Sequence, residues 1–516
     1  MPDTDDLPLL RYLEGERDKT IYETIGLEPI INCRGTFTIL GGSIMRPEAL
    51  GAFKAASGYF AQLDELAEAV GRRLAALTGA EWGLIANGCA AAIKHVTTAC
   101  VTGGNPERLL RVPDLTGFEK RQVIVPRYSR NQYDQAVRTV GVEIVEVETP
   151  AELEHAINPT TAMIYLVTGA GSAPGQPLSL EVIADIARPH DIPILADSAA
   201  ELLTIPNVHL EQGATVVAYS GGKAICGPQS AGIALGRKDL LQASWQASAP
   251  HHGHGRDNKI GKEETLAMLA AVEAWIARDH AGEWQIWLER LERIADGVAD
   301  IPTVATAVEE PTGLGNKVPG LVISWAPDQL HLSAEEVAED FARNRPRIAV
   351  GSADADGRAS IRINPSQMRP EQEQILIERI RGALTAERRP RPTGPEPAAF
   401  AIGGEWMVDV TYFTSSSRHR WMLRQDGNWI GGRHESDLSV QEITGTLEGN
   451  RLMLRSDTRQ APDNVAFMFS GTVSADRIEG SILLGEYLTA TFCAAPVVSD
   501  GVRERVVIPK GPPLAT

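Results

Sequence analysis

The chain reads as an α/β protein: a largely parallel sheet covered on both faces, then a smaller α/β piece, then a separate antiparallel β-domain. Three observations carry that reading. Between residues 80 and 240, short β-branched runs alternate with helical stretches, the pattern of βαβ units around a parallel sheet. At Glu387-Arg388-Arg389-Pro390-Arg391-Pro392-Thr393-Gly394-Pro395-Glu396-Pro397, prolines crowd a linker. Beyond it the hydrophobic period falls to two, as in Glu405-Trp406-Met407-Val408-Asp409-Val410-Thr411-Tyr412.

Taken in order, residues 1–30 are polar and mixed and form an N-terminal arm, with a short helix expected over 17–25. The large α/β domain is expected over 31–262. It opens with a short strand and a glycine loop, Ile30-Ile31-Asn32-Cys33-Arg34-Gly35-Thr36 and Leu40-Gly41-Gly42-Ser43. Helical spacing then runs from Pro47 to Leu77 and stops near Thr78-Gly79. Strands are expected at 84–86, 122–126, 142–147, 162–168, 192–196, 215–219 and 232–235, with a helix at 180–187. In such sheets a ligand sits beyond the carboxyl ends of the strands.

An interdomain helix and small α/β domain are expected over 263–386. One long helical pattern from Glu263 to about Val298 puts Leu266, Leu269, Val272, Ile276, Leu288, Leu291 and Ile294 on core positions. Strands at 321–325, 347–350 and 360–363 precede a closing helix on Leu376, Ile380 and Leu384. The linker spans 387–400 and a tail 498–516. Between them, 401–497 reads as a small barrel or sandwich with hairpin turns at Asp426-Gly427 and Gly449-Asn450.

A net charge of −18 over 516 residues argues against nucleic-acid binding, which needs clustered cations. The acidic start Met1-Pro2-Asp3-Thr4-Asp5-Asp6 differs from a basic secretory leader, and no apolar run is long enough to span a bilayer. Cysteines 33, 89, 100, 226 and 493 lie far apart, which reads as reduced thiols in a cytoplasmic protein.

The chemistry concentrates in Ser220-Gly221-Gly222-Lys223-Ala224-Ile225-Cys226-Gly227-Pro228-Gln229, a lysine in a glycine-rich loop after a strand. An upstream strand ends on Asp197. Pyridoxal 5′-phosphate (PLP) chemistry requires such a pair: the lysine carries the cofactor as a Schiff base, and the carboxylate holds the pyridine nitrogen protonated. A third piece is the turn Asn87-Gly88-Cys89-Ala90, which opens an alanine-rich helix whose N-terminal N–H groups suit a phosphate. Each piece also has a plainer reading: Lys223 as a loop lysine, Asp197 as a cap for a helix begun by Ser198-Ala199-Ala200-Glu201, and Asn87-Gly88 as a simple strand-to-helix turn. The glycines around Lys223 favour function, because the backbone must pass close to a bound ring.

The motifs Ile31-Asn32, Leu77-Thr78-Gly79-Ala80-Glu81, Gly88 to Ala92, Asp197 to Glu201, Ser220 to Gln229 and Gly255-Arg256-Asp257-Asn258-Lys259-Ile260-Gly261-Lys262 together resemble the fold-type I PLP enzymes, specifically their selenocysteine synthase-like group. The resemblance spans about residues 20–385 and leaves the β-domain uncovered. It implies Lys223 as the Schiff-base lysine, Asp197 as the pyridine partner, and Gly88, Cys89, Ala90 and Ser220 around the phosphate. It also implies that Arg256, Lys259 and Lys262 meet an anionic group, reaching in from a neighbouring subunit of a homodimer or higher homo-oligomer.

Other candidates are weaker. Tyr128 follows a strand end, where it either stacks on the cofactor or starts a helix. Arg362 sits where fold-type I enzymes keep an arginine for the substrate α-carboxylate, and a structural role is an equal alternative. In His251-His252-Gly253-His254 the adjacent histidines lack the fixed geometry of a metal site, so His252 is expected to face substrate instead. The expected activity is a PLP-dependent lyase that eliminates at Cα and Cβ of a small hydroxylated amino acid, giving a 2-oxo acid and ammonia. A racemase or epimerase, an aldolase, and a non-catalytic PLP-fold binding protein remain alternatives.

Overall fold

The computed structural model describes residues 7–15, 19–390, 394–457 and 465–497. The acidic start, part of the 17–25 helix, the middle of the linker and the tail lie outside the described residues. Short helices are present at Pro8–Glu14 and Glu23–Ile25. The chain divides into two compact units, Met1–Pro390 and Arg391–Thr516.

The first unit is built on a seven-stranded sheet. Its strands are β1 (Trp82–Ala86), β2 (Gln122–Pro126), β3 (Glu143–Val147), β4 (Thr161–Val167), β5 (Ile194–Asp197), β6 (Val216–Ser220) and β7 (Gly232–Gly236). Their order is β1-β7-β6-β5-β4-β2-β3. Side chains alternate between two apolar layers, as a sheet covered on both faces demands. Ile164, Leu166, Ile194, Ala196, Val217 and Tyr219 pack on one side. Met163, Tyr165, Leu195, Val216 and Ala218 pack on the other, against the helix Gly88–Thr102.

The sheet is largely parallel, as expected, with one exception: β7 runs antiparallel to both β6 and β1. The loop 221–231 contains no helix, so the chain returns beside β6 as a long hairpin and not by a crossover. A second difference lies downstream. The long helical pattern is two helices, Lys262–Ala277 and His280–Asp296, broken where Arg278 turns extended. The Asp279 side chain accepts the Gly282 N–H and starts the second helix. Within the first helix Met268, Val272 and Trp275 form the buried face, so Ile276, one position past Trp275, is exposed instead of on the expected core face.

A four-stranded antiparallel sheet follows, ordered Gly351–Ala355, Arg358–Ile363, Gly320–Trp325, Ala305–Glu309. Its core holds Leu291, Ile294, Trp325, Phe341, Leu376, Ile380 and Leu384. Ile31 and Cys33 also pack there, because Ile31–Asn32 pairs in parallel with Ile348–Ala349. The chain's early strand thus belongs to the small domain's core, not the large one's.

The second unit is a closed barrel of eight antiparallel strands. Its first strand, Gly404–Thr411, pairs with its last, Thr489–Pro496. The interior packs Trp421, Phe469 and Phe492, with the Trp421 and Phe469 rings 4.9 Å apart and edge to face. A buried polar chain crosses it: Ser417 Oγ to His419 Nε2 at 2.8 Å, His419 Nδ1 to His434 Nε2 at 2.9 Å, and His434 Nδ1 to Ser456 Oγ at 2.8 Å. Ser456 closes it by donating to Gln441 Oε1 at 2.7 Å.

Candidate active site

Asp197, Ser220 and Ala86 end three strands on one edge of the main sheet. Gly232, at the start of β7, pairs with Ala86 on one side and Ser220 on the other. This register brings Ser220 beside the start of the helix Gly88–Thr102. Gly232 is required there, since a Cβ would lie 2.5 Å from the Cys89 nitrogen. Asn87 makes no side-chain capping bond, so the first-turn N–H groups keep their donors for another acceptor. Gly88 has φ +85 with open space where a side chain would be, and Ala90 is exposed.

Asp197 is only 5% exposed, and burial pushes its carboxyl above the ordinary value. Hydrogen bonds and the charge of Lys223 oppose that shift. The Tyr165 O–H donates to Oδ2 at 2.8 Å, and the Ala199 N–H donates to Oδ1 at 3.1 Å. The Cys89 thiol also meets Oδ1, at 3.6 Å. Cys89 therefore turns its side chain toward the carboxylate, and only its backbone toward the helix start. Residues 198–200 form a turn instead of the expected helix.

Lys223 is half-buried, and its side-chain amine makes no hydrogen bond or ion pair among the described residues. Its loop is held from three sides. The Ser43 N–H donates to Gly222 O at 2.9 Å and the Arg46 N–H to Cys226 O at 3.0 Å. Arg278 donates to the carbonyls of Ala224 and Ile225 at 3.2 and 3.4 Å. The glycines answer to the protein itself: a Cβ on Gly221 would sit 2.5 Å from Met268 Sδ, and one on Gly222 2.7 Å from Gln229 Cα. The loop's own packing therefore requires these two glycines, independently of any bound ring.

Lys223 lines a cavity of about 1910 Å³, together with Arg34, Tyr133, Arg278, Lys317 and Arg362. Arg362 is already paired with Glu309, and its guanidinium lies against Gly320. Arg34 stacks on the Phe37 ring at 4.6 Å, and neither it nor Lys317 has an acidic partner among the described residues. Sequence reasoning did not single out Arg34, Arg278, Lys317 or Tyr165. For Tyr165 one signal existed: a lone phenol in an aliphatic buried strand needs a polar partner.

Several expected residues lie elsewhere. Tyr128 donates its O–H to Leu178 O at 2.9 Å and packs against Gly171 rather than lining the cavity. Within one chain His252, Arg256, Lys259 and Lys262 do not reach the cavity. The 251–258 loop is tied to Lys94 through Asp257, and Lys262 is engaged by the Ala56 carbonyl and Glu263. His251 pairs with Asp64 at 3.1 Å. Among the described residues no cluster of three or more His, Cys, Asp or Glu side chains could hold a metal, and no helix is long and apolar enough to cross a membrane.

The family described as aminotransferase class-V matches residues 119–259. The D-glucosaminate-6-phosphate ammonia lyase of Salmonella typhimurium is 30% identical over 326 residues, covering 61% of this chain and 85% of that protein. The chain belongs to the fold-type I PLP enzymes of the selenocysteine synthase-like group.

It is also similar to a 5′-C-glycyluridine monooxygenase-decarboxylase of Streptomyces, at 26% identity over 388 residues, 73% of this chain and 95% of the relative. An L-seryl-tRNA(Sec) selenium transferase of Moorella thermoacetica is 28% identical over 320 residues, 56% of this chain and 61% of the relative. A solved D-glucosaminate-6-phosphate ammonia-lyase superposes with a TM-score of 0.64 at 26% identity, covering 71% of this chain and 98% of that one. Membership makes the chain a PLP-class enzyme, which removes the non-catalytic alternative.

Proposed function

We propose that the chain holds pyridoxal 5′-phosphate on Lys223 and acts as a lyase on a hydroxylated amino acid, releasing ammonia and a 2-oxo acid. The observation that carries the reading is Lys223 itself: a cavity-lining amine with no anionic partner, on the same sheet edge as the buried Asp197. The residues fit the cofactor: Asn87, Gly88, Cys89 and Ala90 offer uncapped N–H groups for its phosphate, with Ser220 one strand away. When bound, PLP supplies an electron sink for a carbanion at Cα.

In this reading Lys223 Nζ would take the Cα proton and deliver it to the departing β-hydroxyl, which leaves as water. With PLP bound, Asp197 would be the carboxylate that keeps the pyridine nitrogen protonated. The freed enamine tautomerises to an imine that water hydrolyses, so the water lost is regained, the carbon skeleton is unchanged, and the net change is release of the amine as ammonia with a carbonyl left at Cα. Arg362 can exchange Glu309 for a substrate carboxylate. Arg34 and Lys317 favour a second anionic group on the substrate, as in the phosphorylated sugar acid named for the Salmonella relative.

We also infer an assembly of at least two copies. Ile39, Tyr59 and Phe60 are 84%, 77% and 102% exposed, large apolar side chains that a second copy would cover, while Arg256 and Lys259 would serve the neighbouring site. Mixing Lys223→Ala with Arg256→Ala protein should then restore activity through hybrid sites.

The deciding experiment supplies hydroxylated, anionic amino acids in deuterated water. Ammonia with deuterium at Cβ of the oxo acid is expected. Conversion of the cofactor to pyridoxamine phosphate, a Cα-labelled racemate without ammonia, an aldehyde from Cα–Cβ cleavage, or oxygen uptake with carbon dioxide release would overturn the lyase reading.

A further inference from the structure

We infer that Tyr165 is a positioning residue for Asp197: its phenolic O–H, coming from the neighbouring strand, fixes carboxylate oxygen Oδ2 and keeps the carboxylate charged for a bound pyridine ring. The inference rests on the PLP reading above.

Among the described residues, Oδ1 receives two donors, the Ala199 N–H and the Cys89 thiol, whereas Oδ2 receives only Tyr165. Both side chains are buried, Tyr165 completely, so no bulk water can replace that bond. The two strands pair in register at Tyr165–Leu195 and Val167–Asp197, which sets the phenol's reach from the backbone up. Losing the O–H would leave Oδ2 bare in an apolar layer, and a bare buried carboxylate takes up a proton.

The ionisable groups facing the pair act consistently. Cys89 comes from the helix, Lys223 from the loop after β6, and Asp134 from the turn beyond β2. Tyr219 on β6 lies within the field of Cys89. Burial together with Asp197, Cys89 and Asp134 keeps the Tyr165 phenol far above its ordinary value, so it remains a donor at every working pH. Lys223 stabilises the Asp197 anion.

The test titrates apoprotein with PLP from mildly acidic to mildly alkaline pH and reads affinity from the cofactor's absorbance. Affinity should fall as pH drops through the Asp197 pKa. In Tyr165→Phe that fall should begin about one pH unit higher than in wild type. Cys89→Ser, with a stronger donor than a thiol, should move it lower. A packing role alone would weaken binding equally at all pH, so a superimposable pH profile for Tyr165→Phe overturns the inference. Should that variant not fold, 3-fluorotyrosine at position 165, a stronger donor, should lower the transition, and an unmoved transition is equally fatal. Wild type that binds no PLP at any pH would overturn the parent reading as well, whereas bound PLP with an unmoved profile defeats this inference alone.

Discussion

Lys94 and Asp257 form a two-point ion pair, with the lysine Nζ 2.8 Å from Oδ1 and 3.1 Å from Oδ2. The lysine side chain, 11% exposed, rises from the helix whose start faces Ser220; the aspartate, 68% exposed, lies in the loop beside Arg256. The pair fastens the basic loop to the proposed phosphate helix. Asp257→Asn should cost at most about 1 kcal/mol, because the aspartate is largely solvated. Its clearer signature is faster amide exchange across 251–258, read by mass spectrometry. Unchanged exchange would mean other contacts hold the loop.

Lys223→Ala should leave the fold intact and abolish turnover. Borohydride reduction of wild type should fix the cofactor to Lys223, as a peptide mass map will show. An adduct on another lysine refutes the assignment.

Gly221→Ala places a methyl 2.5 Å from Met268 Sδ, 2.7 Å from Ala231 O and 3.0 Å from Pro228 O. Such overpacking costs about 1–3 kcal/mol. Thermal denaturation should show the loss, and in a double-mutant cycle Met268→Ala should cost less in the Gly221→Ala background than in wild type. A neutral Gly221→Ala variant would show that the loop yields freely.

The barrel should weaken in acid. Burial holds both histidines below the ordinary value of 6.5, His434 at about 3. The unfolded chain therefore binds more protons across this window, and stability present above 6.5 is lost as pH falls toward 3. Each histidine contributes a slope of up to about 1.4 kcal/mol per pH unit. Hydrogen exchange in Ser416–Asp426 and Trp429–Glu435, corrected for intrinsic rates, should show easier opening at mildly acidic pH than at neutrality. Equal protection at both would count against it.

The main fold was legible because β-branched runs and helix caps are local signals. Strands β2 and β3, the helix Leu180–Ala187, and the turn from Ala86 into Gly88 stand where period and composition put them. The site's supports were hidden because they are assembled across long sequence separations: Met268 against Gly221, Arg278 on the carbonyls of Ala224 and Ile225, Tyr165 on Asp197. The break at Arg278 escaped notice since apolar residues continue on either side of it. The place of Arg256 and Lys259 depends on the Lys94–Asp257 pair, which no local pattern announces.

The barrel's first and last strands are neighbours running in opposite directions, with Trp406 opposite Pro496. The polypeptide therefore enters and leaves this unit at the same rim. A closed ring of that kind can be spliced in or lost as one piece, since excision opens no sheet and orphans no strand. Gene-level shuffling could attach such a module to an enzyme, or detach it, without either partner having to learn a new fold.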